Sequence, residues 1–306
     1  MLDNAWGDLP SAKRPYTIRL AFQNIQGLPR FPYSEKHQQI ISLFDQLQLD
    51  SFGIAEVNLN FSRLPSSQQW KERFKGLHHS YTTCSTNIHT TCREAVLFGG
   101  VAQLTTGTLA HRAIGRGTDP SGLGRWVWTQ HTGRHGAHLR IITGYRPVSN
   151  SRSDGPWQVA NQHETYLLSQ DDDRDARTAF LKDLNTSMHE WLSQGDSIIL
   201  QLDANAHVRQ GEIARYIQQW GLIDVHHHQH PQLPTAATCS KNRNQTPIDG
   251  IWASASIDIL ASGYSGFGEY PVGNADHRLL WLDITDFSCF GFSPPQPTYR
   301  QPRRLT

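Results

Sequence analysis

The sequence predicts two packed β-sheets with helices on their outer faces and a polar site along one rim of the sandwich. Three observations carry that expectation. Short strand-like runs alternate with long amphipathic helical runs over 306 residues, room for one large α/β domain or two small ones. Hydrophobic residues make up 37% of the chain, enough to build a core. Unusual polar residues sit where apolar strand runs end, and a carboxylate buried there without a partner would be costly.

The elements follow in order. "YTIRLAFQN" (16–24) alternates as a strand and ends on Gln23-Asn24. "EKHQQIISLFDQLQ" (35–48) places apolar residues at 40, 41, 43, 44 and 47, one face of a helix. "DSFGIAEVN" (50–58) reads as a strand closing on Glu56 and Asn58. "AVLFGGVAQLTTG" (95–107), "GRWVWTQHTG" (124–133) and "AHLRIITGYRP" (137–147) read as strands, the last two joined by a hairpin turn through residues 131–136. Helical patterns return at 157–170 and 174–194, the second preceded by Asp171-Asp172-Asp173, acids of the kind that favour a helix N-terminus. The strand "SIILQLDAN" (197–205) and a helix ended by Gly221 come next. "PIDGIWAS", "SIDILASGY" and "ADHRLLWLDI" are the closing strands. Residues 1–15 read as an N-terminal arm, 16–287 as the domain, and 288–306 as a proline-rich tail or linker.

Bulk properties narrow the function. Lys+Arg 28 against Asp+Glu 27 gives a net charge of +1, which excludes a basic coat for nucleic acid; any grip on a polyanion is local or built with metal ions. Four scattered cysteines do not make a disulfide framework. Cys84 and Cys92 have His78, His79 and His89 nearby, but the spacing matches no zinc pattern. The run "HHHQH" (226–230) reads as a solvated loop. With no apolar run long enough for a membrane and no signal-peptide pattern, the expectation is an intracellular protein, with a nuclear location compatible with it.

The strand ends form a set. Asn24 closes the first strand, Glu56 the second and Tyr145 a middle one, while Asp203 and Asn205 close "IILQLDAN". Residues two apart on a strand point the same way, so this last pair projects together. Asp249 lies in "PIDGIW", and Asp276-His277 opens the final strand. Each has an ordinary structural explanation alone, as a turn amide, a core phenol or a strand-end histidine. Together, carboxylates, amides, a tyrosine and a histidine in one kind of place suit Mg²⁺ or Mn²⁺, which lean on carboxylate oxygens and substrate phosphates.

The order of these motifs resembles the endonuclease/exonuclease/phosphatase superfamily over residues 16–287, through "FQNIQG", "IAEVN", "GYRP", "QLDANAH", "IDGIW" and "NADHR". Leu202 and Ala275 stand where the family usually has Gly and Ser. The resemblance implies an α+β four-layer α/β/β/α sandwich of two packed mixed β-sheets flanked by helices. It implies a Mg²⁺- or Mn²⁺-dependent hydrolase in which Glu56 holds the metal with Asn24 and Asp276 beside it. Asp203 would align the attacking water with Asn205, Asp249 would orient His277, and Tyr145 would hydrogen-bond the phosphate. "YRP" and "DANAH" look closest to the endonuclease domains of non-LTR retrotransposons, which implies nicking of duplex DNA and a tail leading to a reverse-transcriptase-like domain.

Other readings use the same residues. A phosphomonoesterase or phospholipase of inositol-phosphatase or sphingomyelinase type would share the fold, and a binding module without activity would have no need of the whole set. A serine hydrolase would want G-x-S-x-G between strand and helix, which "SGYSGFGEYP" does not supply. Arg112, Arg116 and Arg125, in the glycine-rich stretch 111–125, are candidate DNA contacts; the alternative reading of that stretch is a mobile solvated hairpin.

Overall fold

The structure, a computed structural model, describes residues 6–133, 136–149, 155–242 and 245–291. The chain opens with β1 (Thr17–Asn24), α1 (Glu35–Gln46), β2 (Ser51–Ala55), α2 (Trp70–Arg73), β3 (Tyr81–Ser85) and β4 (Val101–Thr105). It continues through α3 (Gly107–His111), β5 (Ala113–Thr118), β6 (Trp126–Thr132), β7 (His138–Tyr145), α4 (Val159–Ser169) and α5 (Ala176–Ser193). Then come β8 (Ser197–Asp203), α6 (Gly211–Gln219), β9 (Leu222–Asp224), α7 (Val225–Gln229) and β10 (Asp249–Ser254). The last elements are β11 (Ile259–Tyr264), β12 (Leu280–Thr285) and α8 (Asp286–Phe290).

Two six-stranded sheets result, in the orders β11-β12-β1-β2-β4-β3 and β5-β6-β7-β8-β10-β9. Each holds one parallel pair, β1 with β2 and β7 with β8, and is otherwise antiparallel. A parallel pair needs a crossover. α1 makes the first and α4 with α5 the second.

Alternation on the strands builds the layers. Leu20 and Phe22 of β1 face the space between the sheets, where they meet Ile141, Ile199 and Ile251 of the other sheet. Ala21, Phe52 and Ile54 face outward onto Ile40, Leu43 and Phe44 of α1. Phe180, Leu184 and Met188 of α5 cover Ile142, Leu200 and Trp252 on the far side. The expected helix–sheet–sheet–helix sandwich is present.

Several expected boundaries move for physical reasons. The strand read at 50–58 stops at Ala55 because Glu56 (φ 54°) and Asn58 (φ 55°) turn into the left-handed region. The strand read at 95–107 begins only at Val101, after Gly99 and Gly100, whose φ values are 94° and 83°. Residues 111–125 are not a mobile hairpin: 113–118 form β5, paired along β6. The "HHHQH" run is not a solvated loop but most of α7, capped by Asp224, with His226 buried and stacked on Tyr264. The cap of α5 is Asp175, whose carboxylate accepts from the N–H groups of Arg177 and Thr178, while Asp172 pairs with Arg174. The β6–β7 hairpin forms as expected, although residues 134 and 135 of its turn lie outside the described residues.

At the two ends of the chain, Trp6 and Asp8 exchange backbone hydrogen bonds with Tyr264 and Ser262 of β11. The boundary expected at 287 falls within α8, whose Cys289 and Phe290 are buried in the inter-sheet core. The proline-rich stretch 292–306 lies outside the described residues. No helix among the described residues is long and apolar enough to cross a membrane.

The inter-sheet core carries a polar thread. Gln201 donates from Nε2 to the Ala21 carbonyl across the sheets, and its Oε1 accepts from Thr143 Oγ1 at 3.1 Å. Gly53 lies against this pair: a Cβ there would stand 2.2 Å from Gln201 Oε1 and 2.7 Å from Thr143 Oγ1. Neither atom can yield without losing a buried hydrogen bond. Gly53→Ala is therefore expected to destabilise the protein by about 1–3 kcal/mol, the usual range for overpacking. Urea unfolding measures it, and an unchanged midpoint would show that the thread is slack.

Candidate active site at one rim of the sandwich

Register brings the strand ends together. In β1 and β2, Asn24 pairs with Ala55, so Glu56 emerges beside Asn24. In β7 and β8, Tyr145 pairs with Asp203, and β10 sets Asp249 opposite Asp203 on its other side. β12 runs antiparallel to β1 with Leu280 opposite Phe22, which puts the preceding Asp276 and His277 at the same rim. Both sheets thus deliver their polar residues to one end.

Asn24 joins them. Its Nδ2 donates to Glu56 Oε1 at 2.9 Å and to Asp203 Oδ2 at 2.8 Å. Glu56 Oε2 accepts from Asn58 Nδ2 at 3.3 Å, and Asn58 in turn accepts the Gly99 N–H. Asp203 Oδ1 accepts the Asn205 N–H at 3.0 Å. Asn205 has φ 46°, and its Nδ2 donates to the Arg146 carbonyl at 2.8 Å. Left-handed backbone at Glu56 and Asn205 is strain that the surroundings must hold in place, a feature that clusters at functional sites. The Arg177 guanidinium, from α5, helps to hold it by donating to the Pro147 and Asn205 carbonyls. The Tyr145 side chain is buried among these groups, with Glu56, Asp203 and Asn205 around its hydroxyl.

The histidine forms the second half. His277 Nδ1 is 2.8 Å from Asp249 Oδ2, and His277 Nε2 is 3.9 Å from Asp276 Oδ1. Asp203, Asp249 and His277 all bring ligand-type atoms within 4.8 Å of one another. Burial alone would lower the His277 imidazole, but the Asp249 carboxylate beside it raises it well above its ordinary value. Burial, and then the neighbouring Asp249 carboxylate, push Asp203 up to about 8. Burial, followed by the charges of Glu56 and Asp203, raises the Tyr145 phenol well above its usual range, so it stays a hydrogen-bond donor.

The residues fit a divalent cation. Glu56 and Asp203 share the Asn24 amide, Asp203 and Asp249 stand with His277, and His277 adjoins Asp276. Among the described residues the buried oxygens Asp249 Oδ1 and Asp276 Oδ1 have no hydrogen-bond partner. Buried carboxylate oxygens are rarely left so without a cation or a substrate donor to meet them. Positive groups near the rim include His277, Arg177, which donates to the Asn205 carbonyl, Lys241, whose Nζ is 3.0 Å from Asp276 Oδ2, and Lys36, which donates to the Ile25 carbonyl. Oxygen-rich donors of this kind suit a hard ion such as Mg²⁺ or Mn²⁺.

All eight strand-end residues expected from the sequence therefore meet at the rim. Asn24 is placed differently from a metal ligand: its amide N–H faces the carboxylates, while its oxygen accepts the Gln26 N–H. The three arginines expected to contact DNA do not form one surface. Arg125 is buried, 1% exposed, and gripped by Asp119 and Asp183, so its charge is spent inside the fold. Arg112 is buried over the Phe290 ring. Arg116 lies on the edge strand, over Tyr81 and donating to the Thr82 carbonyl. Sequence reasoning missed Lys36, Arg177, Cys239 and Lys241, which sit in no motif; Asn58 was visible only as a second polar residue after Glu56.

No family model and no curated protein matches the sequence. Solved structures do match. An AP endonuclease, LMAP, from Leishmania major is 13% identical, with 88% of each chain covered and a TM-score of 0.60. The 3′ phosphatase NExo from Neisseria, bound to a product DNA hairpin, is 12% identical over 87% of this chain and 99% of that one, with a TM-score of 0.59. An endonuclease/exonuclease/phosphatase family protein from Leptotrichia buccalis is 14% identical over 87% of this chain and 99% of that one, at 0.58. The sandwich has the fold of these proteins, as the motif order implied.

A cation that binds the folded rim must also stabilise it. At a hundred times its Kd, Mg²⁺ or Mn²⁺ is expected to add about 2.7 kcal/mol to the unfolding free energy. Glu56→Gln should raise the cation concentration needed for half of that gain. Thermal unfolding across a Mg²⁺ series, with EDTA as the baseline, reads both. Superimposable melts with and without the ion would remove the cation from the rim.

Proposed function

We propose that the chain is a divalent-metal-dependent phosphodiester hydrolase that nicks one strand of duplex DNA. One observation carries this reading: Asn24 gathers Glu56 from one sheet and Asp203 from the other, beside an Asp249–His277 pair, at a rim with unpartnered carboxylate oxygens. The fold shared with an AP endonuclease and a DNA-bound 3′ phosphatase supports a phosphoester substrate. The retrotransposon-type signatures, Tyr145-Arg146-Pro147 and Asp203 to His207, support DNA nicking in particular.

A bound cation, held by Glu56 and Asp276, would offset the charge on the non-bridging phosphate oxygens that otherwise repels a nucleophile. The chain's own groups do the rest. Asp203, fixed by Asn24 and the Asn205 N–H, is oriented to accept the proton of an attacking water. His277, its Nδ1 engaged by Asp249, presents Nε2 as a donor to phosphate oxygen as charge develops. Tyr145, kept protonated by burial, adds a second donor. Asn205 fixes the loop through Arg146 rather than touching the reacting atoms.

Purified protein with Mg²⁺ should convert supercoiled plasmid to open circles before linear product appears, since a single set of catalytic groups cuts one strand at a time. Asp203→Ala should abolish cleavage and leave DNA binding intact. Asp249→Asn and His277→Ala should be strongly non-additive, because Asp249 acts through His277. Hydrolysis of an inositol phosphate or phospholipid with plasmid untouched would overturn the DNA assignment. Fully additive losses would separate Asp249 from His277.

A further inference from the structure

At the same rim a sulfur donor joins oxygen and nitrogen donors. A Cys239 sulfur, an Asp276 carboxylate oxygen and a His277 ring nitrogen lie within 4.8 Å of one another. The backbone sets them there: Cys239 bridges to His277, the Ser240 N–H donates to the Asp276 carbonyl, and the Arg278 N–H donates to the Thr238 carbonyl. Residues 238–240 are thereby laced alongside 276–278. Cys239 is 6% and His277 7% exposed, and the Asp276 side chain is 9% exposed, its Oδ1 without a hydrogen-bond partner among the described residues.

We propose that Cys239, Asp276 and His277 bind a soft divalent transition metal such as Zn²⁺, and that its occupancy switches the hydrolase off. Sulfur, nitrogen and oxygen donors together select Zn²⁺ or Co²⁺ over Mg²⁺, which has no use for a thiolate. Three protein ligands leave a fourth position for water, as in open zinc sites. His277 is already arranged as metal-binding histidines are, with a carboxylate, Asp249, on its other ring nitrogen. Asp276 Oδ2 faces Lys241, leaving Oδ1 as the free donor. Zinc bonds of about 2.0–2.3 Å put ligand atoms within roughly 4 Å of one another, so the side chains need close by only about 1 Å. The thiol loses its proton to solvent as the sulfur binds.

Occupancy takes His277 Nε2 and Asp276 away from the phosphate. That consequence rests on the proposed hydrolase, whereas the metal site does not. Neither ion-binding group among the described residues contains Cys84, Cys92 or Cys289, so sulfur ligation reports on Cys239.

Co²⁺ titration of the chelator-treated, full-length chain tests the site optically. One equivalent should produce a near-ultraviolet thiolate-to-cobalt band that Zn²⁺ displaces; imidazoles of the "HHHQH" run cannot produce it. Cys239→Ser and Cys239→Ala should each lose the band and weaken Zn²⁺ binding by more than about tenfold, while Asp276→Asn weakens binding but keeps the band. Absence of the band in the wild type, or its survival without Cys239, overturns the site. In parallel, Zn²⁺ should inhibit Mg²⁺-supported plasmid nicking in the wild type and fail to do so at the same concentration in Cys239→Ser; equal inhibition overturns the switch. A cobalt band in a chain that never nicks DNA would leave the metal site standing, reject the DNA-nicking reading and overturn the switch.

Discussion

Asn24 donates one N–H toward Glu56 and another toward Asp203, and those two bonds tie the two sheets together at the rim. Without a donor between them, two carboxylates facing each other out of bulk water would repel and open the rim. The amide does what a water could do, but from a fixed strand end, so the separation is set by the β1 backbone rather than by solvent. Glu56 and Asn205 hold left-handed backbone on either side of this contact. Asn58, Gly99, Arg146 and Arg177 supply the hydrogen bonds that keep those conformations occupied.

The rim also explains why the interior is less apolar than a sandwich requires. Gln201 and Thr143 lie on β8 and β7, close behind the strand ends that carry Asp203 and Tyr145. Their hydrogen bonds, with the one from Gln201 to Ala21, pin the sheets at a definite offset. Leucines there would fill the volume but would tolerate sliding, which the directional bonds do not. A site assembled from two sheets needs that offset fixed, because a small shift would separate Asn24 from Asp203.

The strand-end residues were legible because alternation places them and their order along the chain carries the resemblance. What the sequence hid was partnership. Arg125 looked free to meet DNA among glycines, yet Asp119, six residues earlier, folds back to claim it. Gly115 and Gly117 looked like loop residues, but β5 needs them small: a Cβ at Gly117 would stand 2.4 Å from the Trp128 ring. Cys239 and Lys241 belong to no motif, and only the pairing of 238–240 with 276–278 brings them to Asp276 and His277. Asn24 was legible as a strand-end residue, but not the two carboxylates that its amide joins.

A cation held where the two sheets meet would be visible in crystals grown with Mn²⁺ and measured at the manganese absorption edge, since anomalous scattering locates the ion without reference to activity. The expected result is a peak at the rim in ligation distance of the Glu56 carboxylate, about 2.0–2.6 Å for hard cations on oxygen. A saturated crystal with its manganese elsewhere, and none beside Glu56, would contradict it.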